Sequence, residues 1–586
     1  MSFSSRRRNY LLVPHRKDGL IAWMKTMLNH SFVLDALEHT AEDTFHHFEE
    51  LIDEHRSRSS PDDPPSRLKQ LVPTVNTFHT RLPLRKAFIA YNKKYALTKR
   101  KHITISFNEL RHILNLAQIM ALRNIASAGA GTGADEEHNN DDEDEEFQTS
   151  LEKWEKSPGL FSGIGTMIPA YNPPPEMSLG APALAPLASV EGTNASSVDG
   201  SVSVATFATN FTSTTTGVST ATTAAAPTST TSTNKSTDST KTTSNNLPFK
   251  GPRMITFDGD QTLYSDGANF DRNPELALYL YLLLRHGVTI AVVTAAGYEY
   301  DTEKYELRLS GLLTYFKERK LPVEDCERFY LFGGECNYLL VLGKDYKLHP
   351  VREYGPGGWH TATKYIEEAP GNWDEKEVQL LLDVAEHTVR ESVKNLRIRG
   401  RVIRKKRSVG LVPTSKHGCA CIVGIPREAL DETVLTAQEK LDEHTEVKLP
   451  FCAFNGGNDA WVDVGNKRVG VNILAAYVGM PVEQTLHIGD QFLNTGNDFA
   501  ARDVCPCIWI TCPDETTYIL KTILRLAGVS LQQGDLDDDA EGVSTCTSDD
   551  GKSDKEGNKE ITVNLKTVAS RNAMMDVYTG EMLSQS

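Results

Sequence analysis

Three short apolar runs in the second half of the chain each stop abruptly on a polar side chain. Met254-Ile255-Thr256-Phe257 ends on Asp258, "VTIAVVT" (288–294) ends on Thr294, and "TLHIGD" (485–490) ends on Asp490. Continuous β-branched runs without alternation are what strands buried on both faces of a parallel sheet require. "CIWIT" (507–511) repeats the style. Between the first two lies "NPELALYLYLLLRHG", with Pro274 at a first helical position and Gly287 as its stop. Strand, helix and strand in that style mean an α/β sheet covered by helices. Such sheets bind ligands at the carboxyl ends of their strands, so Asp258, Thr294 and Asp490 are expected to converge on one edge.

The first run leads into two carboxylates, Asp258 and Asp260, one residue apart. Like charges held that close repel, and taking them out of water is unfavourable unless something compensates. A bound divalent cation is the usual compensation. The stretch reads as half of a metal site whose other half lies elsewhere in the chain.

The rest of the chain is uneven. Residues 1 to about 128 read as a helical domain: "DGLIAWMKTMLNHSFVLDAL" carries apolar residues at three- and four-residue spacing, and Ser106 with Glu109 forms a capping box. From 129 to 246 the composition changes to an acidic run, a Pro/Ala stretch and a Ser/Thr-rich tract, which reads as a disordered insert. The α/β core then occupies 247–349 and resumes at 451–530, interrupted at 350–450 by an α+β module. An acidic tail, also expected to be disordered, fills 531–586.

A formal charge of -16 argues against a nucleic-acid partner. Nine cysteines without framework spacing, including Cys419 with Cys421 and Cys505 with Cys507, read as reduced thiols in a reducing compartment. The basic N-terminus is followed by only a very short apolar stretch, and no window approaches 18 apolar residues. A cytoplasmic protein with no membrane partner is therefore expected, and the sequons at Asn194, Asn210 and Asn234 are chance occurrences.

The pattern Asp258-x-Asp260-x-Thr262 after a buried strand resembles the nucleophile loop of the haloacid-dehalogenase-like phosphotransferases. Their second element, a Thr ending the next strand, matches Thr294 in "AVVTAAG"; their third, a Lys opening a helix, matches Lys467; their fourth, an acidic loop, matches Asp490. The resemblance implies a Rossmann-like parallel-sheet core with an inserted cap. It implies Asp258 as nucleophile and Asp260 as acid and base. Thr294 and Lys467 would hold the phosphoryl oxygens, with Mg²⁺ on Asp258, Asp260 and Asp490. Taken singly, Thr294 is an ordinary strand-end residue, Lys467 a surface lysine and Asp490 a turn. Asn494 and Asp498 either order the metal loop or cap the next helix.

"FDGDQTLYSDG", "GGECNYL", "RKKRSVGLVP", "FNGGNDAWVDVGNKRVGV", "HIGDQFLNTGNDFAARD" and the N-terminal "SFNELRHILNLAQI" together resemble the IMP-specific 5′-nucleotidases of fungi and apicomplexan parasites. That likeness spans roughly 1–128 and 247–530, leaving out the insert and tail. It implies hydrolysis of IMP to inosine and phosphate, a homotetramer, and activation by ATP at a separate site. Asp266 and Asp459 then become candidates for the ribose or base, against turn residues beside glycines. For the activator, Lys99 in "LTKRKH" and Asn115 are the candidates, against Arg111 and Asn115 lying on the solvent face of an amphipathic helix. The basic string Arg401, Arg404, Lys405, Lys406, Arg407 has three readings: a nuclear-localisation-like patch, a solvated strand edge, or cap cations that close over the phosphate. A sugar-phosphate phosphatase or phosphomutase of the same superfamily, and a non-catalytic scaffold, are the rival functions.

Overall fold

The computed structural model describes residues 18–33, 41–58, 64–99, 105–128, 141–157, 249–271, 273–362, 370–414, 424–529 and 531. The Ser/Thr-rich tract, the sequons, the acidic tail, and Cys419 and Cys421 lie outside them, as does the side chain of Lys99. Seven strands form the main sheet: β1 Met254–Phe257, β2 Thr289–Val293, β3 Phe329–Gly333, β4 Tyr338–Leu342, β5 Leu348–Pro350, β10 Thr485–Gly489 and β11 Cys507–Trp509, in the order β11-β10-β1-β2-β3-β4-β5. β1 is central and pairs in parallel with both β10 and β2, which brings Phe257 level with Ile488 and Val292. Every residue of β1, β2 and β10 is buried, as their unalternating apolar runs require. β4 and β5 add antiparallel to the edge. The helix Pro274–Arg285 starts as expected, with Asn273 accepting from the Leu276 N–H.

The second sheet holds β6 Gly400–Arg404, β7 Ser408–Pro413, β8 Phe451–Asn455 and β9 Ala460–Val464, ordered β6-β7-β9-β8. This corrects the 350–450 boundary of the inserted module. β8 and β9 belong to the cap sheet, and the chain rejoins the core at Lys467. Their apolar content and closeness to Lys467 made them read as core strands. At the other end, Trp359 packs edge-on to Phe332 of the main sheet, so the segment after β5 still belongs to the core. One face of the cap sheet is covered by the helices Glu375–Asn395 and Arg427–Glu443 through Val409, Leu411, Val462 and Val464.

The N-terminal helices Gly19–Val33, Ala41–Ser57, Leu84–Tyr95 and Phe107–Ala128 share an aromatic core in which Phe45 stacks on Phe88 at 4.3 Å. The capping box forms: the Ser106 N–H donates to Glu109, and the Glu109 N–H donates to Ser106 Oγ. A second correction concerns the insert. Residues Asp141–Lys156 are a helix whose Phe147, Leu151 and Trp154 are buried. Its apolar stripe at 147, 151 and 154 was hidden by the acidic residues around it. Trp154 Nε1 donates to Thr522 Oγ1 at 3.2 Å, and Lys94 lies 4.2 Å from the Trp154 ring.

Among the described residues the cysteines are free, with Cys326, Cys336, Cys452 and Cys505 buried. No helix among them is long and apolar enough to cross a membrane.

Candidate active site

Beyond β1 the chain turns tightly: the N–H groups of Thr262, Leu263 and Tyr264 all return to the Gly259 carbonyl. A Cβ on Gly259 would meet the Tyr264 hydroxyl at 2.4 Å and Thr294 Oγ1 at 3.2 Å, so only glycine fits between the two aspartates. Asp258 Oδ1 accepts from the Gly259 N–H and lies 2.8 Å from Lys467 Nζ. Thr294 follows β2 directly, buried, with Oγ1 accepting from the Ala296 N–H. Asp260 Oδ1 accepts from the Gly267 N–H at 2.9 Å and from Arg308 Nη2 at 2.6 Å.

Lys467 opens the helix Lys467–Val478, which Asn466 caps, and is fully buried. Its ammonium bridges Asp258 and Asp498, the latter at 2.6 Å. Asp498 also takes the His487 Nε2 contact at 2.9 Å and the Gln491 N–H at 2.8 Å. Asp498 therefore orders the acidic loop; the short helix that follows has no side-chain cap.

Burial would lower the Lys467 pKa, but Asp258, Asp498 and Glu335 hold it well above its usual value. Asp258 is pushed up to about 7 by burial, with Asp498 adding to it and Lys467 opposing. Asp490 is raised well above the ordinary range, by burial and then by Asp258 and Asp498. Asp498 goes the other way: burial is outweighed by Lys467 and His487.

One oxygen each from Asp258, Asp490 and Asp498 lie within 4.8 Å of one another, and Asp490 Oδ1 is buried without a hydrogen-bond partner. Three carboxylates against one ammonium leave a surplus of negative oxygen. This donor set suits a hard divalent cation.

Across from this cluster the cap closes a cavity of about 250 Å³ whose wall includes Asp258, Asp260, Asp266, Thr294, Asp459 and Lys405. Lys467 and Asp490 are not among the residues that line it. Asn458 of the cap donates to Asp266 Oδ2 at 2.8 Å, tying the loop after β1 to the cap. Asp459 is pushed up to about 6 by burial, with Asp266 and Asp260 adding to the hydrogen-bonded carboxyl's shift. Lys405 lies 4.6 Å from the Trp461 ring, while Arg404 is held by Asp383 and Glu386 on the cap's outer side. Of the basic string, Lys405 is thus the cation at the cavity.

Arg111 and Asn115 are not on a solvent face. Arg111 pairs both guanidinium ends with Glu515, and Asn115 makes reciprocal bonds with the Trp509 backbone. Both line a cavity of about 110 Å³ between the N-terminal helices and the core, together with His79 and Arg502. Sequence reasoning passed over His487, Arg308, Glu335 and Asn497. His487 was hidden inside an apolar strand. Arg308 ends the short helix Thr302–Arg308 and is buried against Asp260, a pairing that no local pattern announces.

An α/β core that gathers an Asp-x-Asp loop, a strand-end threonine, a buried lysine and a second acidic loop beneath a cap is the haloacid-dehalogenase-like arrangement. The sequence pattern described as IMP-specific 5′-nucleotidase matches residues 2–132 and 236–520. The chain belongs to that family of phosphoric monoester hydrolases. It is 28% identical over 516 residues to the IMP-specific 5′-nucleotidase 1 of Plasmodium falciparum, covering 87% of this chain and 84% of the relative. The Kluyveromyces lactis protein of the same name is 29% identical over 549 residues, covering 89% and 99%. Among solved structures, IMP-bound P. falciparum IMP-nucleotidase matches with a TM-score of 0.58 at 29% identity, covering 87% of this chain and 94% of that one. The ATP-bound form matches with a TM-score of 0.57 at 28% identity, covering 89% and 88%.

Proposed function

We propose that the chain hydrolyses IMP to inosine and phosphate in two steps at Asp258. In the first, an Asp258 oxygen attacks phosphorus and the bond to the ribose 5′ oxygen breaks. Asp260 supplies the proton that the leaving oxygen needs. In the second, Asp260 takes a proton from water, the water attacks the aspartyl-phosphate, and phosphate leaves with Asp258 restored. Thr294 and Lys467 hold the phosphoryl oxygens. Mg²⁺ held by Asp258, the Asp260 carbonyl and Asp490 would neutralise charge between phosphate and carboxylates. Asp266 and Asp459 face the nucleoside. A carboxylate there accepts from ribose hydroxyls or from N1–H of hypoxanthine, which AMP lacks.

The observation that carries this reading is the fully buried Lys467 held at 2.8 Å from Asp258 beside an unpartnered Asp490 oxygen. The ATP-bound and IMP-bound solved relatives support a nucleotide activator distinct from the substrate. We place the activator at the seam containing Asn115, with Lys99 nearby in sequence, in a cytoplasmic homotetramer. Phosphate release from IMP, AMP, GMP and glucose 6-phosphate, with Mg²⁺, with and without ATP, tests this. IMP is expected to be strongly preferred, with ATP lowering the concentration needed. Turnover directed at the sugar phosphate would keep the chemistry and overturn the substrate.

A further inference from the structure

The turn between β3 and β4, "GGECN", holds a carboxylate that the proposed reaction does not use. Glu335 is fully buried, and its backbone sits in the left-handed region at φ 64° directly after Gly334 at φ 57°. A non-glycine residue kept there is strained, and strain of this kind persists only where the surroundings over-determine it. The surroundings are those of the site. The Glu335 N–H donates to the Thr294 carbonyl at 2.8 Å, joining the turn to the strand end that carries Thr294. Its own carbonyl occupies the space a Cβ on Gly470 would need, in the first turn of the helix that Lys467 opens.

The side chain points the same way. Glu335 Oε1 accepts from Asn497 Nδ2 at 3.1 Å, while Oε2 is buried with no hydrogen-bond partner. Asn497 lines the catalytic cavity, and its Oδ1 is likewise buried and unpartnered. An asparagine amide has a donor end and an acceptor end, and whichever end is engaged fixes where the other one faces. With Nδ2 spoken for, Oδ1 is left as an acceptor on the cavity side, one residue from Asp498.

We infer that Glu335 is a positioning residue: it fixes the orientation of the Asn497 amide so that Oδ1 faces the cavity as an acceptor for a cation or water held between Asp258 and Asp490. This rests on the phosphatase reading only for its kinetic consequence. The contact with Asn497 Nδ2 needs only an acceptor at Glu335 Oε1, so glutamine can replace Glu335 in that contact and methionine, of similar volume, cannot.

The test compares Glu335→Gln, Glu335→Met, Asn497→Ala and the double variant Glu335→Met/Asn497→Ala in the full chain. Two readouts are used: kcat and KM for phosphate release from IMP, and Mn²⁺ binding to substrate-free protein by electron paramagnetic resonance. Glu335→Met is expected to lower kcat and weaken Mn²⁺ binding by about tenfold each, with KM moving less than about threefold. Glu335→Gln stays within about threefold of the parent, and Glu335→Met adds nothing in the Asn497→Ala background. A parent-like Glu335→Met, a Glu335→Gln as impaired as the methionine variant, or an undiminished loss in the Asn497→Ala background would each overturn the assignment. If Glu335→Met does not fold, Asn497→Ala must reproduce the loss and Glu335→Gln must not. A parent protein that releases no phosphate refutes the proposed function, and the Mn²⁺ arm still decides Glu335.

Discussion

Two buried charge clusters touch β10 and β11, one against Trp509 and Thr511 and the other against His487, and they are built on opposite principles. At the seam, Arg111 and Glu515 are both buried and meet one to one, two nitrogens on two oxygens at 2.8 Å, and Glu515 also accepts from the Thr511 N–H. At the catalytic edge, Lys467 faces Asp258 and Asp498 while Asp490 Oδ1 is left with nothing. A balanced buried pair docks one element on another. An unbalanced one stores repulsion that a ligand can relieve. The difference teaches which buried charges belong to the architecture and which to the chemistry.

The largest expected effect comes from removing the nucleophile. Asp258→Asn should lower phosphate release by about 10³-fold or more. It should leave the melting temperature of the metal-free protein equal or higher, because Lys467 keeps Asp498 and the negative surplus falls. Calorimetry beside the phosphate assay checks both. A melting temperature well below that of the parent would show that the catalytic cluster is a balanced pair after all.

Arg111→Met is expected to do the reverse, leaving the buried Glu515 with the Thr511 N–H and the His112 ring at 3.6 Å but without its guanidinium. That should destabilise the protein by about 3–5 kcal/mol. Replacing both partners, Arg111→Met with Glu515→Leu, should recover much of the loss, since neither charge is then stranded. Chemical denaturation of the three proteins measures this. If the double variant is no better than the single one, the pair does more than dock the helix Phe107–Ala128.

Acidity sharpens the contrast, because a half-buried carboxyl and a buried one move in opposite directions. Asp459, raised to about 6 from a usual 3.8, holds its proton longer in the folded chain than in the unfolded one. It therefore subtracts stability as pH rises from about 4 through 6, by about 2–3 kcal/mol, and nothing further above that. Glu515 is lowered below 4.5, burial being outweighed by Arg111. It contributes its full stability above 4.5 and loses it as pH falls further. Unfolding free energies of metal-free protein measured against pH should thus show a shallower upper slope in Asp459→Asn, with Asp258 and Asp490 still contributing, and a shallower fall at the acid end in Glu515→Gln. An unchanged upper slope in Asp459→Asn would show that its carboxyl is solvated in the free protein.

How far each cluster could be read in the sequence follows the same division. Asp258, Thr294 and Asp490 were visible because each interrupts a buried apolar strand at its carboxyl end, where β1, β2 and β10 lie side by side. Lys467 needed the resemblance, since a lysine opening a helix carries no sign of burial. The seam was not visible. Arg111 and Asn115 occupy polar positions on a helix whose partner, Glu515, is some four hundred residues away, and periodicity alone reads such positions as solvated. The cap boundary failed for a related reason. β8 and β9 are apolar enough to be core strands, and only the pairing of β9 with β7, and of β8 with β9, shows that they belong elsewhere. Glu335 had a sequence signal, a carboxylate after two glycines, but that signal speaks of a turn and not of what the turn holds.

The smallest effect expected concerns the seam's neutral member. Asn115 bonds both backbone groups of Trp509, accepting from the N–H at 3.2 Å and donating at 2.7 Å to a carbonyl that also accepts from Arg111 Nη1. β11 is the edge strand, so no further strand supplies those partners. Asn115→Ala should therefore lower stability by about 1–3 kcal/mol, as expected when a buried backbone group loses its partner, and less than Arg111→Met because no charge is stranded. The same variant bears on the activator. If a nucleotide binds at this seam, the ATP concentration giving half-maximal activation should rise along with the fall in melting temperature. A lowered melting temperature with an unaltered ATP response would assign Asn115 to the docking of β11 alone, and would move the activator site elsewhere in the N-terminal helices.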